Sequence, residues 1–256
     1  MYETERPLVT LSVECWECLD VFLDVMYTTS YAVFLTDHIK LAQKIIRSMA
    51  PNIRGDWLRF RYEGKTLTFS VCDDAIQHYR PRMQEFVSFG AAVRMLGAYE
   101  SYMRKVGEHA VQVMPEAVDA FEAAHKCGPG PDRFTGSNVG RGIDLLAEIF
   151  GFRPHPSYRP SLGFFYELRN VGVHNASIAD ERLCNAAKSG YIHVKGMLKV
   201  GAPVPWSLSA CVQLHHLLTE LLQDADPFVW RALGMRTLQK QAYWYLDKDT
   251  PGKDGG

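Results

Sequence analysis

No stretch of this chain approaches the roughly 20 consecutive apolar residues that a membrane-crossing helix needs, so a membrane-spanning helix is not expected. A charge of one sign is missing too. Lys and Arg number 28 against 29 Asp and Glu, a net charge of −1. That balance excludes a histone-like or generally adhesive nucleic-acid binder and requires any anionic ligand to be met by local cations. Cysteine is sparse: Cys15, Cys18, Cys72, Cys127, Cys184 and Cys211 are scattered through 256 residues, which fits reduced thiols better than a disulfide framework. Cys15-Trp-Glu-Cys18 has redox or half-zinc spacing. A second CxxC and an obvious His pair to complete four ligands are lacking, so the pair is expected to pack reduced, with no metal and no cofactor. The first residues, Met1-Tyr-Glu-Thr-Glu-Arg-Pro7, are acidic and show no signal pattern, which makes the cytoplasm the expected location. Neither an internal repeat nor a coiled-coil heptad emerges.

What is present is apolar content and helical periodicity. At 47% hydrophobic, the chain can bury a sizeable core. Apolar residues recur at helical spacing from Val13 to Met49, predicting two helices separated near Thr28-Thr-Ser30. Leu58, Phe60 and Tyr62 alternate with Arg59 and Arg61. Glu63-Gly64-Lys65 then supplies a turn, and Leu67, Phe69 and Val71 alternate again, the pattern of a β-hairpin. Residues 85–105 place Phe89, Val93, Leu96, Tyr99 and Met103 along one helical stripe. Further helices are expected over 115–125, entered by a first-turn proline, and over 139–150. After the Pro/Gly-rich breaks, another starts beyond Pro160 and reaches Arg169. Tyr191–Val194 and Met197–Val200 suggest a second short hairpin, Pro205–Leu222 and Pro227–Leu246 two closing helices, and 247–256 a disordered tail. The fold class is mainly α, a helical bundle with one or two small β-hairpins.

The chemistry concentrates in Glu167-Leu-Arg-Asn-Val-Gly-Val-His-Asn-Ala176, which contains R-N-x-x-x-H at Arg169, Asn170 and His174. Arginine's planar fork matches a phosphate bidentately and can stabilise charge building on its oxygens. Histidine titrates near neutrality and can exchange the proton of a ribose 2′-hydroxyl or of a leaving 5′-oxygen. Asn170 can orient either the phosphate or the imidazole. On a regular helix Arg169 and His174 project about 140° apart. A bend at Gly172, or a two-fold dimer in which both copies line one cleft, would bring such groups together.

FFYELRNVGVHNASIAD resembles the signature of the HEPN superfamily, whose members carry R-N-x-x-x-H on a late helix, with an acidic residue before it and Asn, a small residue and Asp after it. Here these are Glu167, Arg169, Asn170, His174, Asn175, Ala176 and Asp180. The earlier long helix with Tyr99-Glu-Ser-Tyr102, a hairpin soon after the motif and a closing helix resemble the group related to the RiboL-PSP family. The resemblance covers about residues 82–225. It leaves 1–81 as an N-terminal helical extension with a hairpin, and 226–256 as a C-terminal helix and tail. It implies a homodimeric helical bundle with metal-independent endoribonuclease activity, leaving a 2′,3′-cyclic phosphate and a 5′-hydroxyl. Arg169 would bind the scissile phosphate, His174 would transfer protons and Asn170 would support both. By analogy it implies a toxin or antiphage defence role, with an antitoxin or other regulatory partner. Where many relatives have Gly-Gly after His-Asn, this chain has Ala176-Ser177.

Glu167, Glu100, Asn175 and Asp180 are supporting candidates, although a helical glutamate such as Glu100 is more often simply solvated. Arg59 and Arg61 share one hairpin face amid seven cations between Lys40 and Lys65, the best local candidates for contact with an RNA backbone, although such a face is more often simply a solvated strand face. His215-His216 diverge by about 100° and do not face one metal. HEPN-like domains that bind without cutting give the alternative: a non-catalytic dimerisation or RNA- or partner-binding module.

Overall fold

In a computed structural model of the chain, residues 8–38, 57–62, 65–70, 73–127, 133–134, 140–175, 177–189, 198–204 and 206–241 are described. They form β1 (Leu8–Ser12), α1 (Val13–Asp37), β2 (Trp57–Tyr62), β3 (Lys65–Ser70), α2 (Asp73–Val113), α3 (Pro115–His125), α4 (Arg141–Glu148), α5 (Tyr158–His174), α6 (Glu181–Ser189), α7 (Leu208–Leu233) and β4 (Thr237–Gln241). The mainly helical class expected from periodicity is what the chain adopts. Contacts divide it into two units, each discontinuous in sequence.

The first unit comprises Met1–Leu23, Ala98–Arg159 and Leu217–Gly256. Its core takes Trp16, Leu19 and Phe22 from α1, Tyr102, Met103 and Val106 from α2, Ile143 and Leu146 from α4, and Leu218, Leu221 and Val229 from α7. β1 pairs antiparallel with β4, Leu8 opposite Gln241 through Ser12 opposite Thr237. The Trp16 indole N–H donates to the Leu238 carbonyl at 2.9 Å, so the first turn of α1 is tied to the far end of the chain. Asp226 lies fully buried at the same end. Its carboxylate accepts the Ser12 backbone N–H at 2.6 Å, the Ser12 hydroxyl at 2.6 Å and the Tyr102 hydroxyl at 2.8 Å. Burial pushes the Asp226 carboxyl up from its ordinary range while the donors pull the other way. Cys15 and Cys18 pack inside this unit, and burial pushes both thiols up, the opposite of an activated nucleophile. Gly107 is buried where the Phe134 ring closes on it, leaving no room for a Cβ.

The second unit comprises Asp24–Gly97 and Pro160–His216. The expected first hairpin is present: β2 and β3 pair antiparallel, with Leu58 opposite Phe69 and Phe60 opposite Leu67, and the turn residues Glu63 and Gly64 lie outside the described ones. Met95 and Leu96 of α2, Leu162, Phe164, Phe165, Leu168 and Val171 of α5, Leu183 of α6 and Leu214 of α7 form its core.

Several elements differ from expectation. α1 runs unbroken through Thr28-Thr-Ser30; Thr29 is 3% exposed, and its packing outweighs the few tenths of a kcal/mol that a β-branched residue costs in a helix. The part of the expected second helix beyond His38 lies outside the described residues. The two closing helices are one, α7, with Pro227 inside it. The ~3 kcal/mol an internal proline costs is offset by burial on both sides of it, at Leu221, Leu222, Ala225, Val229 and Leu233. Residues 237–241, expected as helix, are strand β4. The boundaries expected at 81/82 and 225/226 fall inside α2 and α7. Most of the second hairpin, and the tail, lie outside the described residues. No helix among the described residues is long and apolar enough to cross a membrane.

Candidate functional site

α5 carries the motif from Tyr158 to His174 without a break. Its apolar side is set by Leu162, Phe165, Leu168 and Val171, all buried, which leaves Asn170 and His174 exposed and Arg169 and Glu167 half-buried. The helix continues through Gly172 to His174, which keeps Arg169 and His174 at helical spacing, about 140° apart around the axis. The glycine has another role: a Cβ there would run into the Phe89 ring of α2. Phe89 in turn meets Trp206 edge-on, centroids 5.1 Å apart. Gly172 thus lets α2 press directly against the last turn of the motif helix. Periodicity cannot reveal such a close approach, although an unexplained glycine inside a helical pattern is its usual trace.

The Arg169 guanidinium stands over the Tyr166 ring, 5.8 Å from its centroid. The ring one helical turn earlier, part of the aromatic run FFY, gives the long side chain a flat surface to lie on. Beyond His174 the chain is held by its own backbone. The Asn175 and Ser177 N–H groups both return to the Val171 carbonyl, at 3.0 and 3.1 Å, and Ile178 N–H to Asn175 at 2.8 Å. The Asn175 side chain donates to the Ile178 carbonyl at 2.7 Å. Ser177 adopts φ +61°, a left-handed conformation costly for any residue with a Cβ. This is where the resemblance anticipates Gly-Gly, and Ser177 adopts the glycine-like backbone without the glycine.

A second segment clamps this turn. Val204 N–H donates to Ser177 at 2.8 Å, Ala179 N–H to Ala202 at 2.9 Å and Gly201 N–H to Ala179 at 2.8 Å. Asp180 caps α6, accepting the Leu183 N–H at 2.8 Å. Asn175 and Asp180, supporting candidates by sequence, therefore have structural bonds that shape the turn after His174. Glu100 is half-buried on α2 within the first unit, whereas the motif lies in the second. Arg59 and Arg61 sit on β2 opposite Thr68 and Thr66; their side chains lie outside the described ones.

His215 and His216 are adjacent on α7, ring centroids 5.8 Å apart and planes at 62°. Burial, with His216 close by, pushes the His215 imidazole down to about 4, the signature of a neutral packed histidine. Among the described residues no cluster of three His, Cys, Asp or Glu could hold a metal ion. Compared with protein-family models, with curated proteins and with solved structures, the chain matches none of them.

Proposed function

We propose that the chain is a HEPN-type, metal-independent endoribonuclease that works as a homodimer. The observation that carries this reading is the exposure of His174 and Asn170 on an unbroken helix that also presents Arg169. A histidine buried against its own core would have removed the proton-transfer role. Arg169 holds the scissile phosphate and stabilises charge developing on its non-bridging oxygens. His174 takes the proton of the ribose 2′-hydroxyl or delivers one to the leaving 5′-oxygen. The 2′-oxygen bonds to phosphorus as the bond to the 5′-oxygen breaks, leaving a 2′,3′-cyclic phosphate and a 5′-hydroxyl, and Asn170 orients the group between them.

Because α5 stays helical through Gly172, the ~140° splay of Arg169 and His174 persists within one copy. The cleft then draws its arginine and histidine from two protomers, which ties cleavage to dimerisation. The same splay favours the second reading, a dimerisation or RNA-binding module that does not cut, wherever a second copy fails to complete the cleft. A toxin or defence role with a regulatory partner follows only from the family analogy.

Incubation of the purified chain with a labelled structured RNA in EDTA tests both readings. Wild type is expected to cleave, and His174→Ala and Arg169→Ala to lower the rate by at least about 100-fold. Cleavage persisting in both variants refutes the site. No wild-type cleavage of tRNA, rRNA or mRNA leaves the binding module.

A further inference from the structure

We infer that the C-terminal half of α1 is a self-docking face through which two copies of the chain pair antiparallel. Asp24, Tyr27, Tyr31, Phe34 and His38 follow one another at steps of three and four residues and fall within an arc of about 80° on the helix. His38 belongs to the same face because its N–H continues the helical turn to the Phe34 carbonyl at 3.1 Å. All five are exposed; Tyr27 is 59%, Tyr31 67% and Phe34 55% exposed, while the opposite side of this half buries Val25 and Thr29. Three aromatics in a row this open form a patch of the kind that marks an interaction surface rather than scattered surface apolarity.

The order of residues identifies the occupant. Under a two-fold axis at Tyr31, an antiparallel copy sets Tyr31 on its own symmetry mate, Tyr27 against Phe34 and Asp24 against His38, so apolar meets apolar and carboxylate meets imidazole at both ends. Such self-complementarity is what an isologous contact requires. His38 is already oriented: its ring stacks on Phe34 with centroids 4.0 Å apart, and Nδ1 bonds the Phe34 carbonyl at 2.9 Å, leaving Nε2 for a carboxylate opposite. The three rings offer roughly 350 Å² per copy, near half of the ~800 Å² per partner of a standard interface, enough for the centre of a dimer contact with a polar rim around it. The inference shares with the ribonuclease reading the need for a second copy and rests on it for nothing else.

Sedimentation velocity of the full chain across the micromolar range is the test. Monomer–dimer exchange is expected, with Tyr31→Glu raising Kd at least about tenfold. Asp24→His or His38→Asp alone should weaken the dimer, and the two together should recover it. A wild-type chain that stays monomeric overturns the inference, as does a dimer indifferent to Tyr31→Glu or a double exchange that recovers nothing. RNA cleavage by a chain whose dimer ignores these substitutions would remove the face and keep the ribonuclease. An α1-dependent dimer without cleavage would do the reverse.

Discussion

Asp226 shows how one carboxylate can organise a core. Its three donors come from β1 and α2, and Asp226→Ala leaves them buried without an acceptor, a loss of about 3 kcal/mol or more in chemical denaturation. His215 contributes to acid behaviour in the second unit. Its folded value is held near 4 against 6.5 for the free imidazole, so as pH falls the unfolded chain takes the proton first. The stability from keeping His215 neutral is complete above about 6.5, is lost through the window down to about 4, and amounts to at most about 3 kcal/mol. Denaturation midpoints across that window should flatten in His215→Gln. At Gly172 the added methyl of alanine meets the Phe89 ring, with an expected cost of about 1–3 kcal/mol, whereas alanine at the open position Gly97 of α2 should stabilise by up to about 1 kcal/mol.

Elements divide by what determines them. Local pattern made β2–β3 and α3 legible, the first through strict alternation on either side of the turn signal Glu63-Gly64-Lys65, the second through a proline that opens it at its first position. The motif helix was legible because its apolar spacing is regular from Leu162 to Val171. Tertiary packing decided the rest: α1 passes through Thr28-Thr-Ser30 with Val25 and Thr29 buried, and α7 passes through Pro227 with buried residues on both sides of it. β1 and β4 could not be read from either end alone, since among the described residues each strand pairs with the other across more than 220 residues. In the site, residue types and spacing were readable, and the Tyr166 platform lies one turn before Arg169 on the same helix, but the close approach of Phe89 and the Val204 clamp are contacts between distant segments with no periodic trace. Trp16→Phe removes the bond to Leu238 while keeping the ring packing, and should cost about 1 kcal/mol by thermal denaturation.

For the molecule as a whole, the divisions between units fall at 23/24, 97/98, 159/160 and 216/217, and each lies within a helix: α1, α2, α5 and α7 respectively. Limited proteolysis is accordingly expected to release neither unit as an intact fragment, because helical backbone resists the extended conformation a protease needs; recovery of a stable fragment bounded by two of these positions would contradict this. A gene for such a protein has few places to be cut. A premature stop, a recombination crossover or a fusion joint that spares one unit takes part of the other, so the pair is inherited, lost and redesigned together.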